Sequence, residues 1–470
     1  MTTKPADLRR AKILCTMGPS LEEPAVLEKV FLAGADAFRI NFSHGDHKQH
    51  GRYLSLIRKM AKKLGRPCAV LADLMGPKVR VDAQEYDLQP GAEVGVVPRP
   101  GRPQLGEVGI SYPDLASLVA PGQRLLLDDG RLELSVTSKS GKHIRARVVR
   151  GGLLKPNKSL NVPGVDLGLP VLSRKDKEDL AFIARSGFDW VAASFIRHAE
   201  DVRSVKKHMK SLGMDVPVVA KVESAQAIGH LREIVEAAEG VMVARGDLGV
   251  ELDLELIPTI QRNIIHLARE MGKLTIIATQ MLESMTVSSR PTRAEVTDVS
   301  TAALARVDVL MLSGETAAGK YPVEAVQMMD RTIRTTERNL EEEIVGITHP
   351  ETIAATCEAG LYLSLISGAK AVVVVSTRGT APRILSTYRG NLPVMVACTR
   401  DAIYHRSTLY YSVHPLMVPG VRNPEVMFRN IQARLKLQGL VRKGDVVVFV
   451  FGHPIHGKNK TNSIRRWEIE

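Results

Sequence analysis

The sequence predicts an α/β fold in which a (β/α)8 TIM barrel carries an inserted β-barrel-like lid domain after its third strand and a separate C-terminal α/β domain. Short apolar runs alternate with amphipathic helical stretches along most of the chain. Counted on both sides of one Val-, Gly- and Pro-rich interruption, they give roughly eight strand–helix units, the number that closes such a barrel. We expect the barrel at residues 1–80 and 167–345, the lid at 81–166 and the C-terminal domain at 346–470.

The barrel strands are predicted from short apolar runs that lie between helical stretches. Before the interruption they are Ile13–Thr16, Ala37–Ile40 and Cys68–Leu71. After it they are Trp190–Ala193, Val218–Ala220, Val241–Ala244, Leu274–Ala278 and Val309–Leu312. Inside the interruption, the alternating runs Arg131–Thr137 and His143–Val149 predict antiparallel strands. An open, doubly wound sheet is the alternative architecture, but it does not explain the number of units.

The region after about Glu342 predicts the C-terminal domain, because apolar runs again alternate with helical stretches. Its strands are expected at Ala371–Val375, Val394–Ala397 and Val446–Phe451. The loop after the first of them, Ser376-Thr377-Arg378-Gly379-Thr380, is rich in hydroxyl groups and backbone donors. That composition suits a phosphate group, and an ordinary solvated loop is the alternative.

Composition narrows the class of partner. The 470 residues carry a formal net charge of +13, and 44% of them are hydrophobic but only 4% aromatic. The charge favours anionic partners, but the basic residues are scattered along the chain, so small phosphorylated ligands fit as well as nucleic acid does. The few aromatic residues weaken any interpretation that depends on base stacking. The four cysteines show no Cys-x-x-Cys spacing, which fits a reducing compartment. No run is long enough to span a membrane, and no secretion signal is evident, so we expect a cytoplasmic protein.

Almost every predicted barrel strand ends in polar residues, and such ends meet at one face of a barrel, where active sites lie. Lys221 and Glu223 are two apart and share one face of their strand. The next strand ends in Arg245-Gly246-Asp247, where Gly246 allows close approach of the backbone and Asp247 offers oxygens to a divalent cation. Such a group could clamp a phosphoryl group and its metal. Two core strands that end in solvated charges are the alternative.

Read in order, the strand ends and one segment of the predicted lid resemble those of pyruvate kinases. The resemblance runs from about residue 11 to about residue 345 and continues more loosely to the C-terminal end. The matching segments are Arg39–Gly45, Asp73–Pro77, Leu160–Gly164, Ala193–Arg197, Lys221–Ser224, Ala244–Gly249, Ala278–Met285 and Met311–Ala317. No single motif decides the matter, but this many motifs in the same order are highly specific.

The resemblance implies Mg²⁺-dependent transfer of the phosphoryl group of phosphoenolpyruvate to ADP, which gives ATP and pyruvate in the last step of glycolysis. Glu223 and Asp247 would hold Mg²⁺ or Mn²⁺. Lys221 would stabilise the phosphoryl group during its transfer, and Arg39 would contact it. Phosphoryl transfer depends on positioning and charge neutralisation more than on covalent chemistry, and these residue types supply both.

The resemblance assigns further residues to the substrates. Backbone N–H groups of Gly246 and Asp247 would bind the substrate carboxylate, and Thr279 would lie near it and help to relay a proton. The residues that would face the nucleotide are Asn41, Phe42, Ser43, His44, Arg80 and Lys158. Since Lys158 lies in the inserted domain, that domain could close as a lid and exclude water. Relatives also suggest a homotetramer and a phosphorylated effector bound at residues 376–380.

The potassium requirement of many relatives is expected to be absent. In those relatives K⁺ is bound by residues that match Asn41, Ser43, Asp73 and Leu74. The residue after the Gly-Pro turn is then glutamate, and here it is Lys78. A lysine ammonium carries the same unit charge as K⁺, so no ion need be recruited.

Several assignments have plainer alternatives. Arg39 could pair with Asp73 or Asp36 at the barrel rim, Thr279 could satisfy backbone groups at its strand end, and His44 could be a surface histidine. Other metal-dependent barrels act on phosphoenolpyruvate or pyruvate as lyases or mutases, although they would not need the inserted domain. A basic scaffold or nucleic-acid-binding protein is a third class, but it gives no reason for the pairing of a lysine with a glutamate.

Overall fold

The structure, a computed structural model, describes residues 8–341, 353–421, 423–453 and 461–470. The chain begins with three buried strands and the helices between them, which are β1 (Lys12–Thr16), α1 (Pro24–Ala33), β2 (Ala37–Asn41), α2 (His47–Leu64) and β3 (Ala69–Asp73). Helix α2 begins where the side chain of Asp46 accepts a bond from the amide of Gln49, and it ends at Gly65 in the left-handed region. The three strands therefore pair as parallel neighbours.

A separate β domain follows β3. Its elements are β4 (Val79–Arg80), β5 (Tyr86–Leu88), β6 (Glu93–Pro98), β7 (Glu107–Ile110), α3 (Leu115–Leu118), β8 (Arg124–Leu127), β9 (Leu132–Ser140), β10 (His143–Arg150), β11 (Gly152–Leu154) and β12 (Ser159–Asn161). Seven of the strands form a sheet in the order β4-β12-β8-β9-β10-β6-β7. A bridge between Val81 and Ile110 brings the two edges of this sheet together around an apolar core. The domain is therefore barrel-like, and we call it the lid.

The chain then returns to the barrel. The elements are α4 (Arg174–Ser186), β13 (Trp190–Ala193), α5 (Ala199–Ser211), β14 (Val218–Val222), α6 (Ala225–Gly229), α7 (Leu231–Ala237), β15 (Gly240–Ala244), α8 (Arg245–Glu251), α9 (Ile257–Glu270), β16 (Leu274–Ala278), α10 (Arg293–Leu304), β17 (Val309–Leu312), α11 (Gly314–Ala317) and α12 (Pro322–Arg338). The barrel closes in the order β1-β17-β16-β15-β14-β13-β3-β2. Because these strands are parallel, their carboxyl ends all open toward the lid.

The C-terminal domain is an α/β sheet. Its elements are α13 (Ala354–Ile366), β18 (Ala371–Ser376), α14 (Thr380–Thr387), β19 (Val394–Cys398), α15 (Asp401–Arg406), β20 (Val413–Met417), α16 (Pro424–Leu437), β21 (Val446–Phe451) and β22 (Ser463–Glu468). The strand order is β20-β19-β18-β21-β22, and only β22 runs antiparallel. The domain contacts the amino end of the barrel, where Arg389 makes two 2.6 Å hydrogen bonds to the buried carboxylate of Asp308.

This architecture confirms the predicted fold class. The predicted domain boundaries stay predictions, and the one at 345/346 lies outside the described residues. Strands β20 and β22 did not stand out in the sequence, because β20 is an edge strand with Pro415 inside it and β22 is largely exposed and polar. No helix within the described ranges is long and apolar enough to cross a membrane.

Candidate active site

The centre of the candidate site is the ammonium group of Lys221 near the end of β14. Its Nζ lies 2.7 Å from Oε1 of Glu223, 3.4 Å from Oδ1 of Asp73 and 2.7 Å from Oγ of Ser194. Burial opposes the charge of this lysine, but the carboxylates of Asp73, Glu223 and Asp247 outweigh burial and raise its pKa. Lys221 is therefore a fixed positive charge at the barrel mouth.

Arg39 provides a second cation next to Lys221. Its Nε donates to Oδ2 of Asp73 at 2.6 Å, and its Nη1 donates to Thr16 at 3.2 Å. Asp73 is buried, yet Lys221 and Arg39 hold the pKa of its carboxyl below the usual range. The alternative pairing of Arg39 with Asp73 is thus present in the structure, whereas Asp36 pairs with Arg9 instead. Within the described part of the chain, Nη2 of Arg39 has no hydrogen-bond partner, so one edge of the guanidinium can still contact a ligand.

Ser194 and Phe195 at the end of β13 hold both members of the Lys221–Glu223 pair. Ser194 accepts from Lys221 and donates to the carbonyl of Leu74 at 2.7 Å, while the amide of Phe195 donates to Oε2 of Glu223 at 2.8 Å. Phe195 has a φ of +55°, in a region that a non-glycine residue adopts only at a cost of about 1–3 kcal/mol. Sequence reasoning gave these two residues no role, although they stand in a matching motif.

Asp247 lies in the first turn of α8, close to Glu223. Burial raises the pKa of the Glu223 carboxyl, and the nearby Asp247 raises it further, against the lowering effect of Lys221. Lys78 approaches the pair, because its Nζ lies 4.0 Å from Oδ1 of Asp247 and sits over the ring of Phe195 at 5.2 Å from the ring centre. The Lys78 side chain is 26% exposed, so it lies in the site rather than in bulk solvent.

Two carboxylates that repel each other at a partly buried position fit a divalent cation, which would relieve the repulsion. Among the residues that the structure describes, no group of three or more His, Cys, Asp or Glu side chains could hold a metal ion. Glu223 and Asp247 would therefore supply only part of a coordination shell, and water and substrate oxygens would complete it, as is common for Mg²⁺.

Thr279 and Gly246 contact each other across the ends of β15 and β16. The hydroxyl of Thr279 donates to the carbonyl of Ala278 at 2.6 Å and accepts from the amide of Gly246 at 2.8 Å. Thr279 thus satisfies backbone groups, as its plainer alternative foresaw, and its role in proton relay stays a prediction. Thr279 has a φ of +67° and Gln280 a φ of +54°, so this strand end also holds strained backbone.

The residues expected at the nucleotide divide into two groups. Asn41 ends β2, and Ser43 and His44 lie on the loop that follows it, where Ser43 donates its amide to the Asn41 side chain at 3.1 Å. Partial burial and the cations Arg39, Arg80 and Lys78 lower the pKa of His44. Phe42 is fully buried, its amide donates to the carbonyl of Asp73 at 2.9 Å and its carbonyl accepts from Lys175 at 2.7 Å, so neither its ring nor its backbone is open to a ligand in this structure.

The lid supplies the other group. Arg80 and Lys158 are brought together because β4 pairs with β12, and the carbonyl of Lys158 accepts the amide of Val81 at 2.9 Å. The ammonium of Lys158 lies 2.6 Å from Asp128 within the lid, so a nucleotide would compete with this ion pair. A cavity of about 410 Å³ lies between the lid and the barrel, and its walls include Lys78, Phe195 and Glu223.

The loop predicted to bind an effector lies between the C-terminal domain and the barrel. Ser376 accepts the amide of Gly379 at 2.9 Å, and Gly379 has a φ of +83°, so the loop turns tightly into α14. Arg378, Gly379 and Thr380 line a second cavity, of about 570 Å³. Basic side chains outnumber acidic ones in its walls: Lys206, Lys210, Arg378, Arg383 and Arg406 face Asp215 and Glu239.

Comparison with known proteins agrees with this arrangement. Family models described as "Pyruvate kinase, barrel domain" and "Pyruvate kinase, alpha/beta domain" match residues 8–326 and 354–465. The chain is 37% identical to a pyruvate kinase of Geobacillus stearothermophilus over 97% of this chain and 80% of the relative. It is 37% identical to a pyruvate kinase of Corynebacterium glutamicum over 97% of both chains, and 38% identical to one of Mycobacterium tuberculosis over 97% of this chain and 98% of the relative. The prediction made from the strand ends is confirmed, and the chain belongs to the pyruvate kinase family of phosphotransferases.

Proposed function

We propose that this chain transfers the phosphoryl group of phosphoenolpyruvate to ADP and releases ATP and pyruvate, as the last step of glycolysis in the cytoplasm. The observation that carries the proposal is the contact of Lys221 with Glu223 and Asp73 at the barrel mouth, with Arg39 on the same aspartate. Two cations and a pair of carboxylates at one point suit a reaction in which negative charge moves between oxygens.

Each residue has a task in this proposal. Lys221 and the open edge of Arg39 stabilise the transferring phosphoryl group. Glu223 and Asp247 hold Mg²⁺ or Mn²⁺, which when bound neutralises the phosphoryl and carboxylate oxygens of the substrate. The amides of Gly246 and Asp247 bind the substrate carboxylate, and this requires Gly246 to exchange its bond to Thr279 for one to the substrate. The hydroxyl of Thr279, released from the amide of Gly246, can then contact the substrate near the carbon that accepts the proton.

The nucleotide is expected to lie between the barrel and the lid. The residues proposed to contact it are Asn41, Ser43, His44, Arg80 and Lys158. Phe42 is left out of this set, because it is buried and both of its backbone groups are already bonded. The lid, predicted at residues 81–166 and joined in the structure by Val79 and Arg80 of β4, would close over the rest of the barrel parts predicted at 1–80 and 167–345 and exclude water from the phosphoryl group. Such closure would bring the ammonium of Lys158 from Asp128 to the nucleotide phosphates.

Regulation is proposed for the C-terminal domain, taken as residues 346–470. The basic second cavity and the tight turn at Ser376–Thr380 support binding of a sugar phosphate or a nucleoside monophosphate as an activator. We also propose a homotetramer, on the strength of the family alone. Lys78, beside Asp247, supports a reaction that does not need K⁺.

The test is a coupled assay that measures ATP formed from phosphoenolpyruvate and ADP by the purified chain with Mg²⁺. We expect turnover in the absence of any other nucleotide or protein. Failure to form ATP across pH, divalent metals and candidate effectors would reject the proposal. Release of inorganic phosphate, or consumption of phosphoenolpyruvate without ADP, would instead favour a lyase or mutase.

A further inference from the structure

Two chain segments connect the lid to the barrel. Residues 74–78 lead from β3 into β4, and residues 162–173 lead from β12 back to α4. Any movement of the lid as a body must be absorbed in these segments, because the lid has its own apolar core and the barrel is a closed sheet. We call them the entry hinge and the return hinge.

One buried carboxylate contacts both hinges. Asp176, at the third position of α4, is 0% exposed. Its Oδ1 accepts the amide of Gly76 in the entry hinge at 3.1 Å. Its Oδ2 accepts the amide of Ser173 at 2.9 Å and the hydroxyl of Ser173 at 2.5 Å, at the end of the return hinge. Within the described ranges no cation pairs with Asp176, so its charge is balanced only by these donors and by the first turn of α4.

The entry hinge has little room at this point. Gly76 has a φ of +72°, and a Cβ added to it would meet Cδ2 of Phe195 and Cβ of Ser194, each at 2.9 Å. Ser194 and Phe195 are the two residues that hold Lys221 and Glu223. A shift of Gly76 would therefore press directly on the residues that position the proposed catalytic pair.

Lys175, the residue before Asp176, contacts the loop that follows β2. Nζ of Lys175 donates to the carbonyl of Phe42 at 2.7 Å and to Asp179 at 2.7 Å. The same Asp179 lies 2.7 Å from Nε2 of His47 at the start of α2. The first two turns of α4 thus contact the entry hinge, the return hinge and the loop that follows β2.

We propose that Asp176 is a positioning residue that joins both hinges of the lid, so that a movement of the lid relative to the barrel is transmitted through Gly76 to Ser194 and Phe195. Its carboxylate, which touches neither substrate nor metal, makes the two hinges move as one. The kinetic consequence rests on the proposed function, but the mechanical coupling does not.

The test is amide hydrogen exchange of the full chain, followed by mass spectrometry without substrates, in the wild type and in Asp176→Asn. The amide group keeps the size of the carboxyl but can accept at one atom only. We expect exchange to rise about tenfold or more in both hinges, with little change in β14–β17. If the variant does not fold, Ser173→Ala replaces it, and exchange of residues 74–78 should then rise although Ser173 is remote from them in sequence.

Glu295→Gln is the matched control. Glu295 forms the same capping box on α10 and also accepts the amide of Ser284 at 2.7 Å, but it contacts no hinge. We expect it to leave hinge exchange at the wild-type rate. Asp176→Asn should also lower kcat/KM for ADP, whereas Glu295→Gln should leave it unchanged. Faster exchange confined to residues 173–176 would mean a helix cap only and would overturn the proposal, as would unchanged exchange in both hinges.

Discussion

Nζ of Lys221 lies 2.7 Å from Oε1 of Glu223, two residues further along the chain at the end of the same strand. Both side chains are buried, and the pair lies at the mouth of a closed parallel barrel. Removing either partner would leave the other buried without its counter-charge, so the pair is costly to disrupt. Because Glu223 also faces Asp247, the same lysine touches the position where a metal would bind without being a ligand itself.

Replacing Lys221 with methionine should remove most phosphoryl transfer while the chain still folds. The loss of one preorganised charge typically lowers the rate by about 10²-fold or more. Glu223 is then left as a buried charge without its counter-charge, so we expect the free energy of unfolding to fall by about 3–5 kcal/mol. The measurements are kcat in the coupled ATP assay and the thermal melting curve.

Lys12→Met is the control for this variant. Lys12 is another buried lysine of a barrel strand, 3% exposed, but it lies at the amino end of β1, away from the site. It should keep near wild-type turnover. Equal turnover in Lys221→Met and Lys12→Met would contradict the role given to Lys221.

Replacing Glu223 with glutamine, or Asp247 with asparagine, should raise the Mg²⁺ concentration needed for half-maximal activity. Mg²⁺ prefers several hard oxygens in tight octahedral geometry, and these two carboxylates are its proposed protein ligands. The titration is repeated with Glu283→Gln, an exposed glutamate after β16, which should behave as the wild type. An unchanged half-saturation in both site variants would exclude them as ligands.

Metal binding should weaken as the pH falls. Burial and Asp247 raise the pKa of Glu223 in the folded chain, and the metal must displace the proton from the carboxyl that binds it. The half-saturating Mn²⁺ concentration, followed by the EPR signal of the free ion, should therefore rise as the pH drops through this raised pKa. Asp247→Asn removes one of the causes of the raised pKa. In this variant the pH below which metal binding weakens, the acid limb of the binding curve, should therefore be lower, even though the variant binds metal more weakly. An acid limb at the same pH in both proteins would disprove the coupling of the two carboxylates.

The parts of the fold that could be predicted from the sequence are those set by local pattern. The barrel strands are buried on both faces and therefore appear as continuous apolar runs. The polar residues that follow each run converge because parallel strands end at one face. The order of these ends was also enough to identify the family. Strand β22 follows a different pattern, since most of its residues are exposed, and no apolar run marks it.

Contacts between distant parts of the chain could not be predicted in this way. Asp73 was considered for K⁺ and, as an alternative, for a pairing with Arg39, but its contact with Lys221 was not predicted. The ring of Phe42 packs against His50, with 4.2 Å between ring centres, because the loop after β2 folds back onto α2. Asp176 meets Gly76 a hundred positions away. Such pairings depend on how the strands and helices pack, and no spacing within one segment encodes them.

Arg378→Ala should weaken activation by sugar phosphates or nucleoside monophosphates and leave the unactivated rate unchanged. Arg378 belongs to the tight turn that lines the basic second cavity, and a charged hydrogen bond to a phosphate is typically worth about 1.5–3 kcal/mol. The measurement is the phosphoenolpyruvate saturation curve with and without each candidate effector. Arg429→Ala, which removes an exposed arginine from α16, is the control. If no candidate effector shifts the curve or the melting temperature of the wild type, the loop has no regulatory role.

The position of Lys78 bears on the potassium requirement. Its ammonium lies 4.0 Å from Asp247 and packs over Phe195 rather than extending into solvent. A fixed positive charge beside the metal-binding carboxylates can offset the charge of anionic substrates in the way that K⁺ does in other members of the family. Leu74 offers no side-chain oxygen to an ion, and its carbonyl already accepts a bond from Ser194.

We therefore expect full activity in a buffer whose only added cations are Mg²⁺ and a bulky organic amine. Lys78→Glu, alone or with Leu74→Thr, should make activity depend on K⁺, because the new carboxylate near Asp247 adds a negative charge that a monovalent cation must neutralise. Lys78→Met separates the two effects, since it removes the ammonium without adding a carboxylate and should respond to K⁺ less steeply than Lys78→Glu. A many-fold stimulation of the unmodified chain by K⁺ would overturn this prediction, and would mean that Asn41, Ser43 and Asp73 bind the ion despite the lysine.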